Sequence, residues 1–228
     1  LIFDISKIKD LKRIRYTTSH PIDFTNDLVE AHRDIDKLMP FIHLPVQSGS
    51  NKILKNMNRN HTIEFYLDLI NKLKSVNPRI KFSSDFIIGY PGETVCDFDR
   101  TLSIIKKVQF INTYSFIFSS RPGTPAAKLK KIDNFEAKKR LSEFQRIAEE
   151  IKLNYRKSLF NKSSLVLFEN KIGTKNEFFG KDEFSNPVIA RSEENLEGEI
   201  KKVKIIHGNN GTLFGAIDSS SKKRDFAA

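Results

Sequence analysis

Residues 41–51, FIHLPVQSGSN, and residues 85–94, DFIIGYPGET, decide the reading of this chain. Each is a run of apolar and β-prone residues that ends in a glycine-containing turn and then feeds a helical pattern. A strand, a loop and a helix therefore occur twice, with polar side chains where the strand stops. In α/β barrels and open α/β sheets, ligands bind at the carboxyl ends of the strands. Gln47, Ser48 and Asp85 lie at or near such ends. The pattern predicts a segment of an α/β enzyme barrel.

The same alternation extends to both sides. Residues 13–19, RIRYTTS, predict a strand that His20 and Pro21 stop, because the residue before proline avoids helix. A helix is predicted over 23–38, a strand over 41–47, and helices over 50–57 and 62–76. Tyr66, Ile70 and Leu73 mark the buried face of the last of these. A strand follows over 81–89. Thr94 with Asp97 then offers a capping-box variant for a helix whose stripe is Phe98, Leu102, Ile105 and Val108. Residues 113–119, TYSFIFS, predict a fourth strand, closed by the turn RPGTP. Four strand–helix units in tandem predict parallel strands. They do not complete eight strands, so the chain reads as the later part of a larger or partial barrel.

From Asp133 the period changes. Asp133 and Glu136 make a second capping pair, and Leu141, Phe144, Ile147, Ile151, Tyr155 and Leu159 keep helical spacing. Lys138, Lys139, Arg140, Arg146, Lys152, Arg156 and Lys157 read as the opposite, basic face. After Asn161 the pattern is all-β. Five short strands separated by Gly, Asn and Asp predict a small closed barrel of the oligonucleotide-binding type. The expected organisation is 1–160, a barrel segment with a basic exit helix; 161–218, a small barrel; and 219–228, a polar, disordered tail.

Composition narrows the function classes. Of 228 residues, 39% are hydrophobic, enough for a core, and no apolar run reaches membrane-spanning length. The N-terminus carries charge too early for a signal peptide, and a cytoplasmic protein is the default. Leu1 in place of methionine points to a chain that continues upstream. Cys96 is the only cysteine, which excludes a disulfide framework and a local cysteine metal cluster. The net charge of +11 favours an anionic partner, with a polynucleotide the usual one. Residues 1–161 hold 28 basic and 18 acidic groups, against 11 and 10 in residues 162–228. The basic excess therefore belongs to the first domain and the helix leaving it.

Four blocks in order, RIRYTTSHP, HLPVQSGSNKILKNMNR, FSSDFIIGYPGET and YSFIFSSRPGTPAA, resemble the radical-SAM methylthiotransferases. The resemblance covers about residues 1–217, and the terminal small barrel is similar to the family's TRAM domain. Within the family, TTSHP with QSGS favours the branch that methylthiolates C2 of N6-isopentenyladenosine beside the tRNA anticodon. The branches acting on threonylcarbamoyladenosine and on a ribosomal protein usually differ there. The resemblance implies S-adenosyl-L-methionine (SAM) and 4Fe-4S clusters as cofactors, the anticodon stem-loop of tRNA as partner, and a monomeric enzyme. It also exposes a departure. The family binds its clusters through a CxxxCxxC motif and three further cysteines, and thiolates are the ligands such clusters need. With Cys96 alone, the isolated chain is expected to bind neither cluster and to be inactive.

What the resemblance implies about residues is more specific. Gln47, Arg59 and Asp85 are expected around SAM: the Arg as a fork for the methionyl carboxylate, the Gln as donor and acceptor, the Asp as acceptor from ribose or amino groups. Thr18, Ser19 and Ser48 would complete that shell. Arg121, Lys138, Lys139, Arg140, Phe179 and Lys181 are expected to meet RNA. Phe178 and Phe179 are neighbours on a strand and face opposite ways, so at least one is core. Lys181 stands where the family often has arginine, and meets phosphate as a point charge rather than a fork. Two other classes stay open: a non-catalytic RNA-binding protein built on the basic helix and small barrel, and a phosphate-binding barrel enzyme of unrelated chemistry.

Overall fold

The structure, a computed structural model, describes residues 1–17, 20–173 and 175–218. Thr18, Ser19 and the tail at 219–228 therefore lie outside the described residues. The chain divides into two compact units, Leu1–Ile151 and the residues from Lys152 onward. The division falls inside a helix, nine residues before the sequence reading places it.

The first unit holds β1 (Phe41–His43), β2 (Lys81–Ile88) and β3 (Asn112–Ile117), all parallel, in the order β1-β2-β3. Its helices are α1 (Ile2–Ser6), α2 (Asn26–Asp34), α3 (Asn51–Asn56), α4 (Ile63–Val76), α5 (Val95–Val108) and α6 (Asn134–Lys157), the last of which crosses into the second unit. Of the strand expected at 13–19, the described residues 13–17 form a single bridge, Ile14 to Leu38. Its partner segment ends at Pro40, which has no N–H to continue a ladder. Among the described residues, the first unit thus has three strands where four were expected.

Strand β1 is shorter than the expected 41–47 for a related reason. Pro45 interrupts the ladder, and side chains repair the gap. The Leu44 carbonyl accepts from the Tyr66 hydroxyl at 2.8 Å and from the Ser84 hydroxyl at 2.9 Å. The Val46 N–H donates to Ser84 Oγ at 2.9 Å. Pairing resumes at Gln47, whose N–H donates to the Asp85 carbonyl and whose carbonyl accepts from Ile87. Below the sheet, Tyr66, Ile70 and Leu73 of α4 and Phe98, Leu102, Ile105 and Val108 of α5 form one core with Ile42, Phe82, Phe86 and Ile88. Phe144, Ile147, Ala148 and Ile151 of α6 join it.

The capping box read at Thr94 is complete. Thr94 Oγ1 accepts from the Asp97 N–H, and Asp97 Oδ2 accepts from the Thr94 N–H at 3.0 Å. Asp97 also accepts from Ser50 Oγ at 2.7 Å and pairs with Lys52 at 3.2 Å. Burial alone would raise this carboxyl, but the bonds from Ser50, Thr94 and Lys52 outweigh it and hold it well below the usual carboxylate range. A carboxyl lowered on folding stabilises above its unfolded value, and that contribution drains away as pH falls below it. Asp97→Asn is therefore expected to be less stable than wild type at neutral pH, by roughly 1–2 kcal/mol for the cap. The gap should narrow in melts near about pH 3. A gap independent of pH would contradict the assignment.

The second unit is a closed barrel of β4 (Ser163–Ile172), β5 (Glu177–Asp182), β6 (Pro187–Arg191), β7 (Ile200–Gly208) and β8 (Leu213–Ile217), ordered β4-β5-β6-β8-β7. All five expected strands form. Val166, Phe168, Phe178, Val188, Val203, Ile205 and Leu213 fill the interior. Of the two adjacent phenylalanines, Phe178 is the core member and Phe179 faces outward. Among the described residues, no helix is long and apolar enough to cross a membrane.

Candidate active site

The exposed face of the three-stranded sheet carries the candidate chemistry. Asp85 and Ile87 point to the face away from the helical core, as do Tyr114 and Phe116, their ladder partners on β3. Tyr114 and Phe116 are 49% and 60% exposed, which on a parallel strand marks an open surface. His43 Nε2 lies 3.4 Å from Asp85 Oδ1, and its Nδ1 lies 2.9 Å from the Ser83 hydroxyl. The tautomer with hydrogen on Nε2 satisfies both contacts: it donates to Asp85 and accepts from Ser83. His43 thereby orients Asp85, a role its lone position in the sequence does not announce.

Gln47 sits where the ladder resumes, at φ 72°, a left-handed conformation for a non-glycine residue. Its side-chain amide makes no hydrogen bond among the described residues. Gln47 and Ser48 are both buried, at 6% and 1% exposure, but Ser48 is bonded: its hydroxyl lies 3.4 Å from Thr101 Oγ1 on α5, and it accepts the Ser50 N–H at 3.2 Å. Ser48 thus fastens the loop to α5 and does not face the open surface, contrary to expectation. Gly49 explains the tightness: an added Cβ would lie 2.4 Å from the Arg100 carbonyl.

Arg59 is presented by the end of α3. The Arg59 N–H donates to the Leu54 carbonyl and the Asn58 N–H to the Lys55 carbonyl, with Asn58 at φ 57°. That is a Schellman stop, with Arg59 as the residue after the left-handed position. The Tyr90 hydroxyl adds a bond to the Asn56 carbonyl at 2.7 Å, tying this turn to the end of β2. Among the described residues Arg59 has no ion pair, and it is half-buried. It borders two clefts. One, of about 980 Å³, is lined by Arg59, Arg121, Tyr90, Ile87, Phe116 and Phe118 among others. The other, of about 410 Å³, is lined by His20, Asp23 and residues 57–60. Behind it, burial, with His20 and Arg59 nearby, pushes His61 down to about 4. Both ring nitrogens of His61 are buried, and neither has a hydrogen-bond partner within 3.5 Å among the described residues.

The structure therefore brings Arg59 and Arg121 to one cleft, and Gln47 and Asp85 to bonded backbone beside it. No side-chain bond joins Arg59 to Gln47 or Asp85. Tyr90, Phe116 and Phe118 were missed by the sequence reading. The alternation of TYSFIFS was the available signal, since one set of its aromatics had to face the open side.

Helix α6 divides the basic residues expected to meet RNA. Lys138 and Lys139 are exposed. Arg140 is 7% exposed, with Nη1 at 2.9 Å from Glu93 Oε1 and Nε at 2.9 Å from Glu136. It is a buried tie to the β2 turn rather than a phosphate contact, which corrects the expectation. Arg156 is also inward, donating to the Asn209 and Gly211 carbonyls. In the barrel unit, Lys181 pairs with Glu169 and lies 5.9 Å over the Phe179 ring.

An amide without a hydrogen bond and a guanidinium without an ion pair among the described residues, with a carboxylate oriented by a histidine, make a set of donors and acceptors that suits a zwitterionic ligand with hydroxyls, which is the chemistry of SAM. The residues present do not suit an iron–sulfur cluster. Cys96 is exposed, and among the described residues no three His, Cys, Asp or Glu side chains group as a metal site.

Comparison with known proteins adds three findings. Residues 1–105 match the model of the Radical SAM superfamily. The chain is 49% identical over 224 residues to a Pelagibacter ubique protein named tRNA-2-methylthio-N(6)-dimethylallyladenosine synthase, covering 98% of this chain and 50% of that one. Proteins of the same name from Wolbachia pipientis wMel and Ruegeria pomeroyi are 45% and 42% identical, over 94% and 95% of this chain and 50% and 49% of theirs. The chain spans about half the length of the curated relatives it matches. Among solved structures, coproporphyrinogen III oxidase from Escherichia coli, described as a radical SAM enzyme, superposes with a TM-score of 0.49 at 15% identity, over 72% of this chain and 45% of that one.

Proposed function

We propose that this chain is part of a radical-SAM methylthiotransferase, namely the SAM- and RNA-contacting portion of an enzyme that methylthiolates C2 of N6-isopentenyladenosine beside the tRNA anticodon. The observation that carries the reading is the 49% identity over 98% of the chain to a synthase of that name. The open sheet face supports it. Arg59 takes the methionyl carboxylate of SAM as a fork. Gln47 offers its unbonded amide, and Asp85, oriented by His43, accepts from ribose or amino groups. SAM bound there would supply a carbon radical when its S–C5′ bond is cleaved by one electron from a 4Fe-4S cluster, with methionine leaving, and the methyl group would come from a second, uncleaved SAM. The cluster ligands come from outside these 228 residues, because one cysteine cannot supply them.

Arg121 meets an RNA phosphate at the mouth of the larger cleft, whose aromatic walls accept a planar base. Lys138 and Lys139 add phosphate contacts from α6, and the closed barrel acts as a TRAM-type RNA module in which Phe179 and Lys181 face out. The enzyme works as a monomer in the cytoplasm, on the anticodon stem-loop. Disrupting the gene should remove the 2-methylthio group from tRNA and accumulate the isopentenyl precursor, read by nucleoside mass spectrometry. Unchanged nucleosides would overturn the reading.

A further inference from the structure

The outer surface of the barrel unit carries a row of flat and apolar side chains that runs across four strands. The register sets Phe179 of β5 opposite Ile189 of β6, Ile189 opposite Phe214 of β8, and Phe214 opposite His207 of β7. Side chains opposite one another on adjacent strands share a face. His207 and Phe214 stack in parallel, with centroids 4.8 Å apart and planes 18° from coplanar. A bulge between Ile205 and His207 shifts the register there and leaves Ile206 55% exposed beside the stack. The cleft along this row measures about 700 Å³. No core residue needs the row, since the barrel interior is filled by a separate set.

The next row explains which occupant fits. It runs Glu177, Arg191, Ala216, Lys204. Arg191 neutralises Glu177 through Nε at 2.9 Å and Nη2 at 2.8 Å. Lys204 is exposed and has no ion pair among the described residues. Lys181 borders the other end, paired to Glu169. The acids are matched and a cation is left over, beside a planar platform. An apolar protein partner would gain nothing from that cation, whereas a nucleotide presents a π-face and a phosphate together. Resting on the tRNA reading above, we propose that His207 and Phe214, with Ile189 and Ile206 as walls, form a stacking platform for an unpaired RNA base.

The chain has no tryptophan, so His207→Trp places a single reporter on the platform. In the full chain, titration with an anticodon stem-loop should quench its emission, and a blunt duplex of the same stem should not. His207→Ala should weaken stem-loop binding roughly tenfold. It should leave Tm and the salt slope unchanged, because stacking releases no counterions. Stem-loop binding without quenching, equal quenching by the duplex, or quenching that tracks protein concentration instead of RNA would each overturn the platform while leaving the tRNA reading intact. No stem-loop binding at all would remove both.

Discussion

Arg140→Ala is expected to destabilise the first unit by about 3–5 kcal/mol, the cost of leaving a buried charge without its partner. Glu93 is 1% exposed in its side chain, and Arg140 supplies its Oε1 with a charge-assisted bond at 2.9 Å while also donating to the Glu93 backbone carbonyl at 3.1 Å. The same Oε1 accepts the Gly89 N–H at 3.1 Å, so the pair fixes the turn that ends β2. Gly89 is at φ 73°, and a Cβ there would approach Ala137 of α6 to 3.1 Å. Helix and turn are thus locked at two points. Burial pushes the Glu93 carboxyl up even beside the guanidinium. Removing Arg140 would push it further and cost the turn its anchor. In thermal melts the loss should appear as a fall of about 10 °C. The double variant Glu93→Gln, Arg140→Met, which removes both charges and keeps an acceptor for Gly89, should recover much of it. A cost under about 1 kcal/mol would mean a solvated pair. Arg140 would then be free for RNA, as the sequence reading held.

Arg140 shows where sequence patterning stops being informative. Residues 137, 140, 144, 147 and 151 share one helical face, and the apolar members are buried. A cation on that stripe was legible as inward, but its charge read more loudly than its position. Its partner lies 47 residues away, which no local pattern reveals. The capping box at Thr94 was legible because its partners are three residues apart. The five barrel strands were legible because glycine and asparagine punctuate them. Ser48 and Gln47 are adjacent in sequence and looked alike. Only the approach of α5, permitted by Gly49, turns Ser48 into a fastening, while the Gln47 amide, also buried, has no hydrogen bond among the described residues. The strand expected at 13–19 had the right alternation but lacked a long enough partner, and pairing is a property of two segments.

Arg59→Ala should weaken SAM binding tenfold to a hundredfold in the complete, cluster-bearing enzyme, while changing stem-loop affinity far less. The physical basis is a guanidinium with no ion pair among the described residues, half-buried between two clefts. A charge-assisted contact to a carboxylate is worth roughly 1.5–3 kcal/mol, which is that range in affinity. Folding should be untouched, because the Schellman stop uses the Arg59 backbone N–H and alanine supplies the same group. Arg59→Lys should recover only part of the affinity, since an ammonium lacks the fork. Arg121→Ala makes the useful contrast. It borders the same cleft from the end of β3, is exposed, and has been assigned to RNA. It should lower stem-loop affinity and reduce the salt slope by about one, leaving SAM nearly unaffected. Calorimetric titration of each variant with SAM, and with a stem-loop at several salt concentrations, separates the two arginines. If both variants lose the same ligand in the same proportion, the cleft is one anion site, and the division of labour drawn from its two sides is wrong.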